Sequence, residues 1–92
     1  MNAHMDRAVE TCTRILARHA ARDPGSITPD IELAGGLHLD SLDLVSVVVD
    51  VESALDIEID DRAMDRLFTD TACVAHLITI TRAALEAAGA QP

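Results

Sequence analysis

A chain of 92 residues, 49% of them hydrophobic, has the size and composition of one small folded domain rather than of a disordered segment. Seven basic residues stand against sixteen acidic ones, and the resulting formal charge of −9 makes nucleic acid a poor candidate partner. The chain has one Phe and neither Trp nor Tyr, so it also lacks base-stacking platforms. Its acidity favours partners with basic patches.

No apolar run approaches the roughly 20 residues that a membrane span needs, and the first residues lack the apolar segment of a secretory signal. We therefore expect a protein without a membrane span, located in the cytoplasm. The two cysteines, Cys12 and Cys73, have no Cys or His spacing suited to zinc, so we expect neither a disulfide framework nor a bound metal. Both are interpreted as small hydrophobic residues within helices.

The first predicted helix spans about 5–21, where apolar residues recur at helical spacing. A segment rich in Pro, Gly, Ser, Thr and Asp follows, and no clear period returns before residue 40. A loop of roughly twenty residues is unusual in a small domain, so we expect it both to be packed and to serve a function. The residues expected to pack it are Ile27, Ile31, Leu33 and Leu37.

The second predicted helix, 41–56, contains a β-branched run, VSVVVDV, that would also suit a strand. Its polar residues decide between the two, because they share one helical face and do not alternate. These polar residues are Asp43, Ser46, Asp50 and Ser53. The residues of the continuous apolar arc that we assign to the core are Leu44, Val47, Val48, Val51 and Leu55.

A second apolar strip, Leu42, Val45 and Val49, lies on the flank of this helix nearest Ser41. A helix with one face in a core does not need a second apolar face. The strip either packs beneath the long loop or forms an exposed patch that docks against partner proteins. An acidic rim around the patch would steer basic partners towards it. The residues that would form this rim are Asp43, Asp50, Glu52 and Asp56.

The rest of the chain predicts an extended connection and two further helices. The alternating residues 56–60 are interpreted as a connection that tucks Ile57 and Ile59 inward. A short helix is predicted at about 61–67 and a final helix at about 70–88, with Asp70 or Thr71 as its N-cap. The inner stripe of the final helix is predicted to be Val74, Leu77, Ile78, Thr81 and Leu85. The predicted fold is all-α, with three longer helices and one short third helix in a single domain over residues 1–92.

Ser41 lies at or next to the predicted N-terminus of the second helix, where unpaired N–H groups and the helix dipole favour an anion. By residue type and position, an N-cap serine is the more ordinary interpretation. A phosphodiester on its hydroxyl would be equally well placed electrostatically. Position alone leaves both interpretations open.

The stretch LDSLDLVSVVVDVESALDIEI resembles the second helix of the acyl carrier protein family, with Asp-Ser-Leu at residues 40–42 and an acidic Glu52. The resemblance covers nearly the whole chain, including its acidity, loop length and helix order, and it implies a stand-alone four-helix bundle of acyl-carrier type. It implies that Ser41, flanked by Asp40 and Leu42, carries 4′-phosphopantetheine added from coenzyme A by a phosphopantetheinyl transferase. The chain would be a carrier and not an enzyme, holding acyl or aminoacyl groups as thioesters.

The resemblance also implies partners and a surface that meets them. We expect a monomer that is served by an acyl- or aminoacyl-loading ligase or transferase and by synthase enzymes with basic docking patches. Recognition would lie on the second helix and the adjoining loop. Beside the motif residues Asp40 and Leu42, the residues expected to bind partners are Asp43, Val45, Val49, Asp50, Glu52 and Ile59.

Three departures from the family pattern leave the pathway open. His38 stands where fatty-acid carriers usually have Gly, Ser46 where many relatives have an acidic residue, and Leu55 where they have Phe. Fatty-acid biosynthesis and a dedicated polyketide-like or aminoacyl pathway are both compatible with this sequence, and so is an aminoacyl or peptidyl carrier loaded by a separate ligase. From another class, a non-carrier helical interaction domain would use the same face without any cofactor.

Overall fold

The computed structural model describes the backbone of residues 3–89 and the side chains of residues 7–89. Its four α-helices are α1 Ala3–Ala20, α2 Ser41–Leu55, α3 Asp61–Asp65 and α4 Val74–Gly89, and a 3-10 turn at Pro24–Ser26 lies between the first two. Within the described backbone, the one β-type contact is an isolated antiparallel bridge between Glu32 and Cys73. The predicted all-α class and the order of four helices are confirmed.

Helix α1 packs against both α2 and α4 and so joins the two longer helices that follow it. Between α1 and α4, the thiol of Cys12 donates to Thr81 Oγ1 at 3.4 Å, with both side chains fully buried. Between α1 and α2, His19 Nε2 lies 2.7 Å from Asp50 Oδ2. The burial of Cys12 raises the pKa of its thiol to about 11, although the contact with Thr81 acts in the opposite direction.

The faces of α2 and α4 that periodicity assigned to the core are buried. All five core residues predicted on α2 are buried, and so are all five residues of the predicted inner stripe of α4. Ile57 and Ile59 are also buried, as the alternation in the connection before α3 predicts. Aliphatic side chains thus fill the core that these helices share.

The long loop is packed against the start of α4 through its backbone. The N–H of Leu33 donates to Ala72 O, and the N–H of Val74 donates to Ile31 O, each at 2.9 Å. Of the residues expected to pack the loop, Ile31 is half-buried. The three others are buried, namely Ile27, Leu33 and Leu37.

Helix α4 begins at Val74, four residues later than the sequence indicates, and neither Asp70 nor Thr71 lies at its start. Its first N–H groups are satisfied by carbonyls of the loop, since Ala75 N donates to Pro29 O at 2.9 Å in addition to the bond from Val74. A helix start needs partners for these N–H groups, and here tertiary contacts supply them in place of a side-chain cap.

Helix α1 ends in a residue with a left-handed backbone, Ala21, whose φ is 55°. The N–H of Ala21 donates to Arg18 O at 3.3 Å and the N–H of Arg22 donates to Ala17 O at 2.9 Å, which is the pattern of a Schellman motif. Glycine is the usual residue at this position, because a residue with a Cβ atom pays about 1–2 kcal/mol in the left-handed region. Helix α1 therefore ends at a strained position.

Candidate functional site

Asp40, and not Ser41, caps helix α2. The carboxylate of Asp40 accepts a hydrogen bond from the N–H of Asp43 at 2.8 Å, and the carboxylate of Asp43 accepts one from the N–H of Asp40 at 3.1 Å. These reciprocal bonds form a capping box around an extended N-cap residue, whose φ and ψ are −88° and −177°. The interpretation of Ser41 as an N-cap serine is therefore wrong, because Ser41 is the first residue of the helix.

Ser41 is exposed, and helix capping makes no demand on its hydroxyl. The N–H groups of Ser41 and Leu42 belong to the first turn, where a helix has no internal acceptors for them. The positive end of the α2 dipole lies at the same place, whereas the carboxylates of Asp40 and Asp43 add negative charge close by. The site thus combines an accessible hydroxyl, unpaired N–H donors and two neighbouring carboxylates.

The strip formed by Leu42, Val45 and Val49 is exposed to solvent. The exposed fractions of these side chains are 77%, 40% and 54%, respectively. The alternative in which the strip packs beneath the long loop is therefore wrong. An uncovered apolar strip begins one residue after Ser41 and continues along α2 for two turns, on a side of the helix that the core leaves free.

The acidic residues beside this strip have intramolecular partners. Asp50 Oδ2 lies 2.7 Å from His19 Nε2 and 3.4 Å from Arg18 Nη2, and the hydrogen bond from His19 lowers the pKa of the Asp50 carboxyl, helped by the positive charges of His19 and Arg18. Asp43 is held in the capping box. The negative charge of the rim is thus partly neutralised at Asp50, by contacts with α1 that residue spacing does not predict.

Glu52 and Ile59 are joined to each other, since the N–H of Ile59 donates to Glu52 Oε2 at 2.9 Å. The side chain of Ile59 is only 8% exposed and lies in the core. Glu52 thus holds the connection between α2 and α3 through this hydrogen bond. Ile59 has very little exposed surface that a partner could contact. Of the residues assigned to partner recognition, these two have a clear structural role.

The loop in front of Ser41 passes through a second left-handed residue, His38, whose φ is 58°. Its neighbours Leu37 and Leu39 are buried, whereas His38 is exposed. A side chain with a Cβ atom is strained in this conformation, whereas Gly adopts positive φ without steric cost. The same loop is held from α1, because Arg22 Nη1 donates to Gly36 O at 3.2 Å.

Gly36 itself has no room for a side chain. A Cβ atom built on it would lie 2.6 Å from Ile31 Cγ2 and 2.7 Å from Glu32 O. The N–H groups of Gly36 and Leu37 both donate to that same Glu32 oxygen, at 2.9 and 3.0 Å. This tight turn fixes the path by which the loop reaches the start of α2.

These features define a class: a small helical module that presents one exposed serine at the first position of a helix, beside an uncovered apolar strip. A family model described as "Phosphopantetheine attachment site" matches residues 11–78, which is most of the chain and includes Ser41. The chain belongs to this family, and its resemblance to acyl carrier proteins is confirmed. It is a cofactor-bearing carrier and not itself an enzyme, so the non-carrier interaction domain is excluded.

Members of this family bind 4′-phosphopantetheine covalently and work with a phosphopantetheinyl transferase and with partner enzymes. The start of α2 fits such a group, because Ser41 is exposed and the first-turn N–H groups favour an anion at this place. Across the described residues, none of the helices has the length and hydropathy that crossing a membrane requires.

Proposed function

We propose that Ser41 is the residue to which 4′-phosphopantetheine is attached, and that the chain carries acyl or aminoacyl groups on this arm to successive enzymes. The strongest support is that one residue caps α2 while the next presents a free hydroxyl. Asp40 caps the helix, so the hydroxyl of Ser41 remains exposed and free of a structural task. When bound, the group supplies a thiol that holds the cargo as a thioester.

The residues around Ser41 hold the phosphate end of the arm only weakly. The N–H groups of Ser41 and Leu42 and the α2 dipole favour a phosphodiester by about 0.3–1 kcal/mol, and the carboxylates of Asp40 and Asp43 oppose it. Such small terms cannot fix the arm in one orientation. The covalent bond at Ser41 sets its origin and leaves the rest mobile, which suits delivery to several enzymes.

The exposed strip of Leu42, Val45 and Val49 is proposed to be the surface that partner enzymes recognise. Fully burying an aliphatic side chain stabilises a complex by about 1.5–3 kcal/mol, and these three are already partly covered. The strip can therefore support a specific but short-lived complex, from which a carrier must dissociate after each transfer. Asp43 would contribute long-range attraction to basic patches on the partners, and Asp50 would contribute less because it is paired with His19 and Arg18.

The partners in this proposal are a phosphopantetheinyl transferase, a loading ligase or transferase, and synthase enzymes with basic docking patches, all in the cytoplasm. The cargo is an acyl group of fatty-acid biosynthesis or of a dedicated polyketide-like pathway. An aminoacyl or peptidyl cargo loaded by a separate ligase is the alternative. Two of the residues that depart from the fatty-acid pattern, His38 and Ser46, are exposed, so partner enzymes can contact them. A dedicated pathway is therefore as well supported as fatty-acid biosynthesis.

Intact mass spectrometry tests the attachment site. Wild-type protein incubated with coenzyme A and a broadly active phosphopantetheinyl transferase should gain the mass of one phosphopantetheinyl group. The variant Ser41→Ala should gain nothing. Ser46→Ala is the matched control, since Ser46 is exposed on the same helix, and it should be modified like wild type. Modification that persists in Ser41→Ala would overturn the assignment.

A further inference from the structure

His38 has a strained backbone whose position calls for an explanation. Three non-glycine residues of the described chain have positive φ, and two of them, Ala21 and Asp56, lie directly after helices, where left-handed residues are common. His38 is different, because it precedes a helix. Strain at a residue next to a functional group is a reason to look for a role of its side chain.

The hydrogen bonds of the loop hold His38 in place. The N–H of Leu37 donates to Glu32 O at 3.0 Å and the N–H of Leu39 donates to Leu33 O at 3.1 Å, so that both neighbours of His38 are tied to the loop. Both neighbouring side chains are buried, at 3% and 4% exposure. The imidazole of His38 is therefore left in solvent by a backbone that cannot easily turn it inward.

His38 is close to Ser41 along the chain. Three residues span at most about 10 Å when fully extended, and the side chains of both residues are exposed. An imidazole at one end of this span can reach a phosphate that projects from the other end. The short distance follows from covalent geometry alone.

The charges at the start of α2 make a cation useful there. Asp40 and Asp43 place two carboxylates beside Ser41, and a phosphodiester would add a third negative charge. Two basic side chains belong to the loop region that leads to Ser41: His38 itself, and Arg22 from the end of α1, which is held at Gly36 O. Of these, His38 is the nearer to Ser41 in sequence and has no structural partner that occupies its ring among the described residues.

We infer that His38 is a positioning residue for the phosphodiester on Ser41, and that its protonated imidazole pairs with a phosphate oxygen and restricts the directions in which the arm leaves the protein. This inference depends on the proposed attachment at Ser41. The phosphate stabilises the protonated ring, so the pairing strengthens as pH falls and is lost when the ring is deprotonated. The carboxylates of Asp40 and Asp43 act on the ring in both the modified and the unmodified protein.

NMR titration tests the pairing without an activity assay. In wild-type protein at low salt, the midpoint pH of the His38 imidazole resonances should be roughly half a pH unit higher with the arm than without it. The ³¹P resonance of the phosphodiester should move over the same pH range. Both effects should shrink at about 1 M salt, where the Debye length is near 3 Å. His19 and His76 serve as internal controls, and their midpoints should not change on modification.

The variant His38→Asn separates the role of the ring from the role of the backbone. Asn tolerates positive φ and keeps the loop conformation, but it carries no titrating charge. In the modified variant the ³¹P resonance should no longer move over the range in which His38 titrates. The amide resonances of Gly36 and Leu44, which are not adjacent to the substitution, should stay where they are in wild type, because the loop and helix α2 are retained.

The results separate this inference from the proposed function. If intact mass shows no arm on Ser41, the attachment site and the role of His38 both fail. If the arm is present and the His38 midpoint is the same in modified and unmodified protein, the role of His38 alone is overturned. A ³¹P resonance that still moves with pH over this range in His38→Asn would also overturn the role of His38.

Discussion

The carboxylates of Asp40 and Asp43 each accept a hydrogen bond from the backbone N–H of the other residue, and this exchange caps α2 on either side of the Ser41-Leu42 pair. Capping and presentation of the hydroxyl are thus carried out by different residues. A serine that had to cap its own helix would lose that contact on modification. Here a group can be attached to Ser41 while the helix start keeps its hydrogen bonds.

Removal of the cap should therefore cost stability, while removal of the serine should not. We expect Asp40→Ala to lower the free energy of unfolding by about 0.5–2 kcal/mol, since it leaves the N–H of Asp43 without its acceptor. Ser41→Ala should be close to neutral. Urea unfolding followed by circular dichroism measures both. Equal losses in the two variants would mean that Ser41 does contribute to the cap.

The exposed strip should control transfer and not folding. Val45→Asp or Val49→Asp places a charge on a surface that partners are proposed to bury, and loss of about 1.4 kcal/mol of contact would slow transfer by a cognate enzyme about tenfold. Helicity should be unchanged, because neither side chain belongs to the core. Val9→Asp is the control, since Val9 is 42% exposed and lies on a different helix, α1. If Val9→Asp slows transfer as much as the strip variants, the docking surface lies elsewhere.

Glycine in place of Ala21, directly after α1, should stabilise the folded protein. Ala21→Gly relieves the left-handed strain, and after subtraction of the extra flexibility of glycine in the unfolded chain we expect a gain of about 0.5–1 kcal/mol. Ala17→Gly, inside the same helix, should instead lose about 1 kcal/mol or slightly more. Thermal and urea unfolding of the two variants give the signs. A destabilised Ala21→Gly variant would contradict the strained geometry at the end of α1.

The contact between α1 and α2 should make stability depend on pH in the acid range. The hydrogen bond from His19 lowers the pKa of Asp50 in the folded protein. The ionised Asp50 therefore contributes fully to stability when the pH is above about 3.9, the pKa of an aspartate in the unfolded chain. This contribution to stability is lost as the pH falls through the lower pKa that Asp50 has in the folded protein. The stability difference between wild type and Asp50→Asn should thus shrink towards zero on acidification.

Unfolding measured at a series of pH values from neutral to strongly acidic tests this contact. His19→Ala should remove most of the same pH dependence. Arg18→Ala should have a smaller effect, since the Nη2 to Oδ2 distance is 3.4 Å and the Arg18 side chain is 66% exposed. A difference between wild type and Asp50→Asn that stays constant across the whole range would show that the contact does not form in solution.

Periodic features of the sequence predicted much of this structure. The buried arc of α2 and its second apolar strip both follow from the spacing of its residues, since a helix places residues three and four apart on one side. Spacing left open whether the strip is exposed, and the structure decides this. The capping box was also predictable from the sequence, because Asp40 and Asp43 have the spacing that such a motif requires. Residue type and position favoured Ser41 as the cap, whereas the capping acceptor is the carboxylate of Asp40.

Contacts between distant segments could not be predicted in this way. The start of α4 at Val74 depends on the carbonyls of Pro29 and Ile31, more than forty residues earlier in the chain. The pairing of His19 with Asp50 likewise requires the mutual position of α1 and α2. Residue patterns within one segment carry no information on such partners. Alternation predicted the burial of Ile59 correctly, whereas the family resemblance implied a role for it in partner recognition.

The burial of the Cys12 thiol keeps it from reacting with a thioester on the proposed arm. A thioester reacts with thiolates and free amines, and a thiol with a pKa of about 11 is protonated at neutral pH and closed to solvent in this position. The sequence contains no lysine, and its seven arginines stay protonated. Among the described residues, the half-buried Cys73 is the more accessible of the two free thiols. Self-acylation by a thioester on the proposed arm would therefore have few side chains to act on.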